Sequence, residues 1–383
     1  MLGRHRRLAL LAEGCFTPSD AKTAVGILRY RAAEVAAVID STRAGRTAAE
    51  CAGVGGAIPV VPGIADAARA GADSLLIGIA PQGGDLPPAW RAQVRDALER
   101  GWDVLAGLHV FLGDDPELRA LAEAHGARLI DARRPPRTRP LAAGRAAALD
   151  PLVVLTVGSD CNVGKMTAAL ELEAELSGRG VVTAFVATGQ TGIFIADHGV
   201  AIDAVPADFA AGAIEALVLE AARGADVVLV EGQGSLLHPA YSGVTLALLH
   251  GAAPAALVLC HQAGRERLRY GVADELARDL PTLGELRRDY ESAAAWVSEA
   301  RVIGIALHTA ALAEDRARAA CAAATRETGL AATDPVRFGC AALADAIEAA
   351  LRERRARRGG TPAATAPGGT RAPNAGGLHA PHA

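Results

Sequence analysis

Aromatic residues are scarce in this chain, at 3% of 383 positions. A core poor in rings must be filled with Ala, Val, Leu and Ile, and hydrophobic residues reach 51%. That composition suits a parallel sheet covered by helices on both faces. Charge imbalance is also small, at a formal −4, which gives no sign of a nucleic-acid or membrane-surface binder. The cysteines, Cys15, Cys51, Cys161, Cys260, Cys321 and Cys340, form no CxxC pair and show no Cys/His spacing of a zinc site. They read as reduced thiols of a cytoplasmic protein, with Cys161 the one expected to have a lowered pKa. No apolar run is long enough to cross a bilayer. The basic start followed by Leu8–Ala12 briefly imitates a secretory leader, but the apolar stretch is short and Glu13 follows at once. Leu8–Ala12 is therefore expected to be the first strand. No GxGxxG follows it, so a nicotinamide dinucleotide site has little support. Internal repeats are absent.

What the chain does have is alternation. Strands are expected at Leu8–Ala12, Val35–Ile39, Ser74–Ile79, Val104–Val110 and Arg128–Ile130, separated by helical patterns. The length suggests two domains. A basic, proline-rich stretch at 136–150 reads as a solvated connector. It separates a Rossmann-like domain at 1–135 from a second parallel domain at 151–355. Second-domain strands are expected at Val153–Val157, Thr183–Thr188, Ala201–Val205, Val227–Glu231, Ala256–His261 and Val302–Leu307. A last helix is expected over Ala341–Arg355. Residues 356–383 have few large apolar side chains and are expected to be disordered. The fold class is α/β, with ligands beyond the carboxyl ends of the strands.

The strongest motif is Gly158, Ser159, Asp160, Cys161, Asn162, Val163, Gly164, Lys165, Met166 and Thr167, directly after an apolar strand. Glycine turn, lysine and helix make a phosphate-binding P-loop, in which backbone N–H groups and Lys165 meet phosphate oxygens. Met166 stands where a Mg2+-binding hydroxyl usually follows the lysine, and hard cations take oxygen ligands. No metal is expected in the site. A second motif delivers Glu231 to a strand end, followed by Gly232, Gln233, Gly234, Ser235 and His238. Glu231 is a candidate base, metal ligand or holder of a cationic group. Ser235 with His238 is a conceivable nucleophile and base, or a substrate-positioning pair. Asp208, where a helix begins, is either an N-cap or a second acid. Gln190 and Thr191 sit in an expected glycine-rich turn. With Gln233 and Tyr241 they are candidate substrate contacts. The strand ends at Cys260, His261, Gln262 and at Leu307, His308, Thr309 complete the rim.

The loop resembles that of dethiobiotin synthetase and its relatives, which share the five-residue spacing and the Asp, although their hydroxyl after the lysine is missing here. A resemblance over nearly the whole chain is to a family long labelled a domain of unknown function. It rests on Gly158–Thr167, Ala187–Gly192, Ala207–Phe209, Glu231–Gly243, Cys260–His261, Gly26–Tyr30 and Gly107–Val110. That family pairs a Rossmann-like with a P-loop NTPase-like domain, and its characterised members are D-glutamate N-acetyltransferases of the DgcN type. The resemblance implies acetyl transfer from acetyl-CoA to the amine of a D-amino acid, and a homo-oligomer. On that reading Glu231, Asp208 or His238 is the base, and backbone N–H groups of 232–235 meet the developing oxyanion. An ATP- and Mg2+-dependent carboxylate ligase and a non-catalytic nucleotide sensor are the competing expectations.

Overall fold

The computed structural model describes residues 7–18, 20–79, 86–270 and 274–359. The first half contains strands β1 (Leu8–Leu11), β2 (Val35–Ile39), β3 (Val60–Val61), β4 (Ser74–Ile77), β5 (Asp103–Ala106) and β6 (Leu129–Asp131). They alternate with α1 (Lys22–Tyr30), α2 (Ala48–Ala52), α3 (Ile64–Arg69), α4 (Pro88–Glu99) and α5 (Pro116–Ala124). The strands pair in parallel, in the order β3-β2-β1-β4-β5-β6. The connectivity reverses between β1 and β4, the position beside which doubly wound sheets bind ligands.

The second half contains β7 (Leu152–Gly158), β8 (Thr183–Val186), β9 (Val227–Val230), β10 (Ala256–Gln262), β11 (Arg301–His308) and β12 (Ala331–Thr333). Its helices are α6 (Lys165–Gly178), α7 (Gln190–Ala196), α8 (Ala207–Ala221), α9 (Ser242–Ala252), α10 (Leu283–Ala294), α11 (Glu314–Thr328) and α12 (Ala341–Gly359). The sheet is again parallel, in the order β12-β11-β10-β7-β9-β8. Every residue of β7 is buried, because helices cover both faces; this is why the strand reads as an unbroken apolar run. Among the described residues no helix is long and apolar enough to cross a membrane.

Several elements differ from the sequence expectation. Ala201–Val205 is not a strand: β8 is the sheet edge, and Ile202–Ala204 is a 3-10 turn. This segment folds back over the end of β8, with Val200 and Ile202 N–H donating to the Ala187 and Thr188 carbonyls. The expected turn at Gln190 and Thr191 is the start of α7; its flanking glycines hid a short helix. The strands β3 and β12, two and three residues long, are too short to show a period. The short α2 forms behind a Thr47/Glu50 capping box. At the other end α12 runs to Gly359, four residues into the expected tail; the remainder, 360–383, lies outside the described residues. So does the whole of 80–84, the glycine-rich stretch expected at the carboxyl end of the Ser74–Ile79 strand.

The connector is not simply solvated. Glu215 of α8 is almost fully buried and accepts from the backbone N–H groups of Ala143 and Arg145 and from the Arg145 side chain at 2.9 Å. Just before it, Arg133 is largely buried, ion-paired with Asp203 and donating to the Gly107 carbonyl. Burial lowers its pKa to about 10.

The two halves meet along α7. Ile193 and Phe194 belong to the same apolar cluster as the core of the first sheet, with Leu10, Ile27 and Leu28. Polar contacts reinforce the junction. Thr23 and Thr191 hydroxyls lie 2.9 Å apart, Tyr30 donates to Glu171 at 2.8 Å, and Arg31 donates to the Phe194 carbonyl at 2.6 Å. The junction thus lies beside the P-loop helix α6 and the N-terminal end of α1.

Candidate functional site

The P-loop leaves β7 at Gly158. A side chain there would press on Val163 and on Lys165, whose Nζ is 3.0 Å from the position a Cβ would take. Asn162 and Gly164 adopt left-handed φ values of 58° and 98°, which turn the backbone amides around the loop. Lys165 is buried; its ammonium donates to the Asp160 carbonyl at 2.8 Å, and burial lowers its pKa. Tyr290, fully buried, donates to the Gly158 carbonyl at 2.7 Å.

Asp160 is the loop's internal anchor. Its carboxylate accepts from the Cys161 N–H at 2.7 Å, the Arg269 N–H at 3.0 Å and Arg265 Nη1 at 2.9 Å. Arg265 also donates to the Cys161 carbonyl and to Gln262. Cys161 departs from expectation: burial raises its pKa, outweighing Lys165, Arg265 and Lys22 nearby. Asp160, Cys161 and His238 do bring ligand atoms within 4.8 Å of one another. However, Asp160 is held by Arg265. His238 Nδ1 faces the Ala240 N–H at 3.2 Å and Nε2 faces the Arg269 carbonyl at 3.0 Å. These donors are committed to the protein.

Glu231 follows β9, next to β7, and is 4% exposed. Its Oε2 accepts from the Thr188 and Gly189 N–H groups at 2.9 and 3.1 Å. Oε1 accepts from Gln233 at 3.3 Å. Gly192 makes room for this carboxyl, since any side chain there would collide with Oε2. Burial pushes the Glu231 pKa up to about 7, against the pull of the two backbone N–H groups and Lys165. Gln190 lies against Gly107 of the first half, and its Oε1 is buried without a hydrogen-bond partner among the described residues. Glu231, Lys165 and Gln190 thus gather where the carboxyl ends of β7 and β9 face the first half.

The other sequence candidates are placed as follows. Ser235 is fully buried, donates to the Ser159 carbonyl at 3.1 Å and accepts from the Leu237 N–H. Tyr241 is 48% exposed and stacks on His238, ring centroids 4.5 Å apart. Asp208 is exposed in the first turn of α8 and makes no side-chain cap bond. His261 Nδ1 lies 2.9 Å from the Ser159 hydroxyl, and burial followed by Arg265 lowers its pKa to about 4, so it is neutral at physiological pH. Thr309 is held by Asp334. The Gly232 N–H is taken by Thr156 Oγ1 at 2.9 Å, which removes it from the expected oxyanion donors.

Three cationic residues escaped the sequence reading. Arg265 and Arg269 follow β10 in a run of alternating basic residues, which is the signal the sequence offers for them. Lys22 opens α1 in the other half, and no local pattern ties it to the loop. Met166 also has an unforeseen neighbour: a methyl on Gly26 of α1 would lie 3.7 Å from Met166 Cε. The residue in the usual magnesium position therefore packs toward the first half.

Comparison with known proteins adds the following. Residues 140–344 match a family described as a domain of unknown function, DUF1611, P-loop domain, and residues 41–135 match its Rossmann-like N-terminal domain. A D-glutamate N-acetyltransferase of Tritonibacter scottomollicae is 44% identical over 285 residues, covering 74% of this chain and 84% of the relative. Another, from Pseudoalteromonas, is 37% identical over 276 residues, covering 72% and 81%. The crystal structure of a DUF1611 family protein from Anabaena variabilis is 40% identical, with a TM-score of 0.85 over 90% of this chain and 99% of that one.

Proposed function

The chain belongs to the DUF1611 family, and we propose that it is an N-acetyltransferase acting on the amine of D-glutamate or a similar D-amino acid. The observation that carries the chemistry is Glu231, a buried carboxyl whose pKa of about 7 suits proton transfer at neutral pH. An amino acid reaches the site as an ammonium and reacts only after losing a proton. Glu231 takes that proton. The unpartnered Gln190 Oε1 accepts a second ammonium N–H and orients the nitrogen.

Acetyl-CoA, when bound, supplies the activated acyl group. The fit to this chain rests on the loop. Its glycine turn and Lys165 suit a pyrophosphate, while Met166 offers no oxygen to magnesium. CoA carries a pyrophosphate that does not react, so the missing hydroxyl is no handicap. Ser235 and His238 are committed to the backbone and serve the loop's shape on this reading; Asp208, Thr191, Gln233 and Tyr241 remain proposed substrate contacts. Six free cysteines fit the cytoplasm. A homo-oligomer follows from the family reading and is measured by light scattering.

Calorimetry with acetyl-CoA, with and without magnesium, tests the donor. Incubation with D- and L-amino acids, following thiol release, tests the acceptor. Magnesium-independent acetyl-CoA binding with turnover on D-glutamate is expected. Magnesium-dependent ATP binding without CoA affinity would overturn the reading in favour of a ligase, and nucleotide binding with no turnover of any amine would leave a sensor.

A further inference from the structure

We propose that Arg133, just beyond β6 in the first half, selects the acceptor, its guanidinium taking the side-chain carboxylate of the amino acid whose amine lies at Glu231. This rests on the N-acetyltransferase reading and extends it to a specificity residue.

Two routes of contact fix Arg133 beside the Glu231 site. On the first-half side its Nε donates to the Gly107 carbonyl at 2.7 Å. Gly107 is packed on Gln190, since a Cβ there would lie 2.8 Å from Gln190 Cγ and 3.1 Å from Cδ. Gln190 in turn follows Gly189, whose N–H donates to Glu231 at 3.1 Å. On the second-half side Arg133 Nη1 is ion-paired with Asp203. The neighbouring Ile202 N–H donates to the Thr188 carbonyl at 2.9 Å, and the Thr188 N–H donates to Glu231 at 2.9 Å. Arg133 thus bridges the two halves, and each of its anchors, Gly107 and Asp203, stands two steps from a donor to the Glu231 carboxyl.

These anchors do not use up the guanidinium. Among the described residues Nη2 has no partner; the bonds run from Nε and Nη1. The Arg133 side chain is 11% exposed and that of Asp203 33%, so the balancing charge is partly hydrated while the cation is not. Burial lowers the Arg133 pKa to about 10, which still leaves it charged at neutral pH. A buried guanidinium with a free edge is stabilised by a further anion, and its planar fork matches a carboxylate. Other cations of the junction are engaged: Lys165 belongs to the phosphate loop, Arg265 is paired with Asp160, and Arg31 is bonded to Glu34 and the Phe194 carbonyl. The two-step spacing from Glu231 suits the side-chain carboxylate, because the α-carboxylate sits on the carbon that bears the amine.

The test is steady-state kinetics on the full chain with D-glutamate and with D-glutamine, whose side chain ends in an uncharged amide, using wild type, Arg133→Met and Arg133→Lys. Wild type is expected to prefer D-glutamate by about tenfold or more in kcat/KM, as for the loss of a charge-assisted contact. Arg133→Met should lose that preference through a KM for D-glutamate raised about tenfold or more. Its turnover of D-glutamine and its KM for acetyl-CoA should stay close to wild type. Arg133→Lys keeps the charge opposite Asp203 but not the planar fork; its preference should fall between the two, and it carries the test if the Met variant does not fold. Equal use of the two acceptors by wild type overturns the assignment and leaves the N-acetyltransferase reading standing. An equal loss for both acceptors in the variants makes Arg133 a reader of the α-carboxylate or a brace of the junction, and overturns it too. Failure of wild type to acetylate any D-amino acid removes the N-acetyltransferase reading, and this assignment with it.

Discussion

Arg265 donates to Asp160 at 2.9 Å where the two side chains are only 6% and 0% exposed. The pair locks the front of the P-loop to the segment after β10, and it consumes the only carboxylate inside the loop. Removing one partner strands the other charge in a poorly hydrated place. Arg265→Met should therefore destabilise the fold by about 3–5 kcal/mol, read by urea unfolding. Adding Asp160→Asn to that variant should recover part of the loss. A neutral Arg265→Met would show that the pair is replaced by water.

Glu231→Gln keeps an oxygen for the Thr188 and Gly189 N–H groups but cannot take a proton. Its kcat should fall by about 100-fold or more, with acetyl-CoA binding retained. Wild-type turnover should rise with pH through about 7. A pH-independent rate, or an active Gln variant, would move the base elsewhere.

The same carboxyl makes a stability prediction. Its folded pKa of about 7 exceeds the ordinary 4.5, so between those values the folded protein holds a proton that the unfolded chain releases. Stability from this group is complete below about pH 4.5 and declines as pH rises to about 7. Above that, folding keeps a charge out of water at a cost of about 3 kcal/mol. The melting temperature of Glu231→Gln relative to wild type should therefore be higher at pH 8 than at pH 5. An identical difference at both pH values contradicts the buried-carboxyl account.

Ser235→Ala removes a buried hydroxyl that ties the Glu231 loop to Ser159. A loss of about 1–2 kcal/mol in stability is expected, with kcat within a few-fold of wild type. A nucleophile would instead lose about 1,000-fold or more. Trapping an acyl-serine by mass spectrometry would decide for the nucleophile.

Gly26→Ala places a methyl 2.8 Å from Thr191 Cγ2, inside the junction. Thr191 cannot retreat without stretching its contact to Thr23. A destabilisation of about 1–3 kcal/mol is expected, with a raised KM for both substrates as α1 moves off the loop. An unchanged KM would mean that the first half does not shape the site.

Much of this was legible locally. The unbroken apolar run of β7 marks a strand with both faces covered. The spacing from Gly158 to Lys165 marks a phosphate loop, and Met166 in the next position argues against magnesium by its chemistry alone. Glu231 is marked by four apolar residues delivering an acid to a strand end. Such features depend on side-chain type and short-range period, which the chain carries wherever it folds. Where that logic had too few residues to work on, as in β3, β12 and α7, it missed or misread elements.

Tertiary structure decided what meets across the junction. Thr23 and Thr191 touch although 168 positions separate them, and Ile193 and Phe194 finish the core of the other half. Arg265 joins the loop because β10 lies next to β7 in the sheet, although 105 positions separate it from Asp160 in sequence, which no local spacing records. The ionisation of Glu231 and Cys161 belongs to this level as well. Their pKa values follow from how much water the whole fold removes around them, and that is a property of packing rather than of neighbouring letters in the sequence.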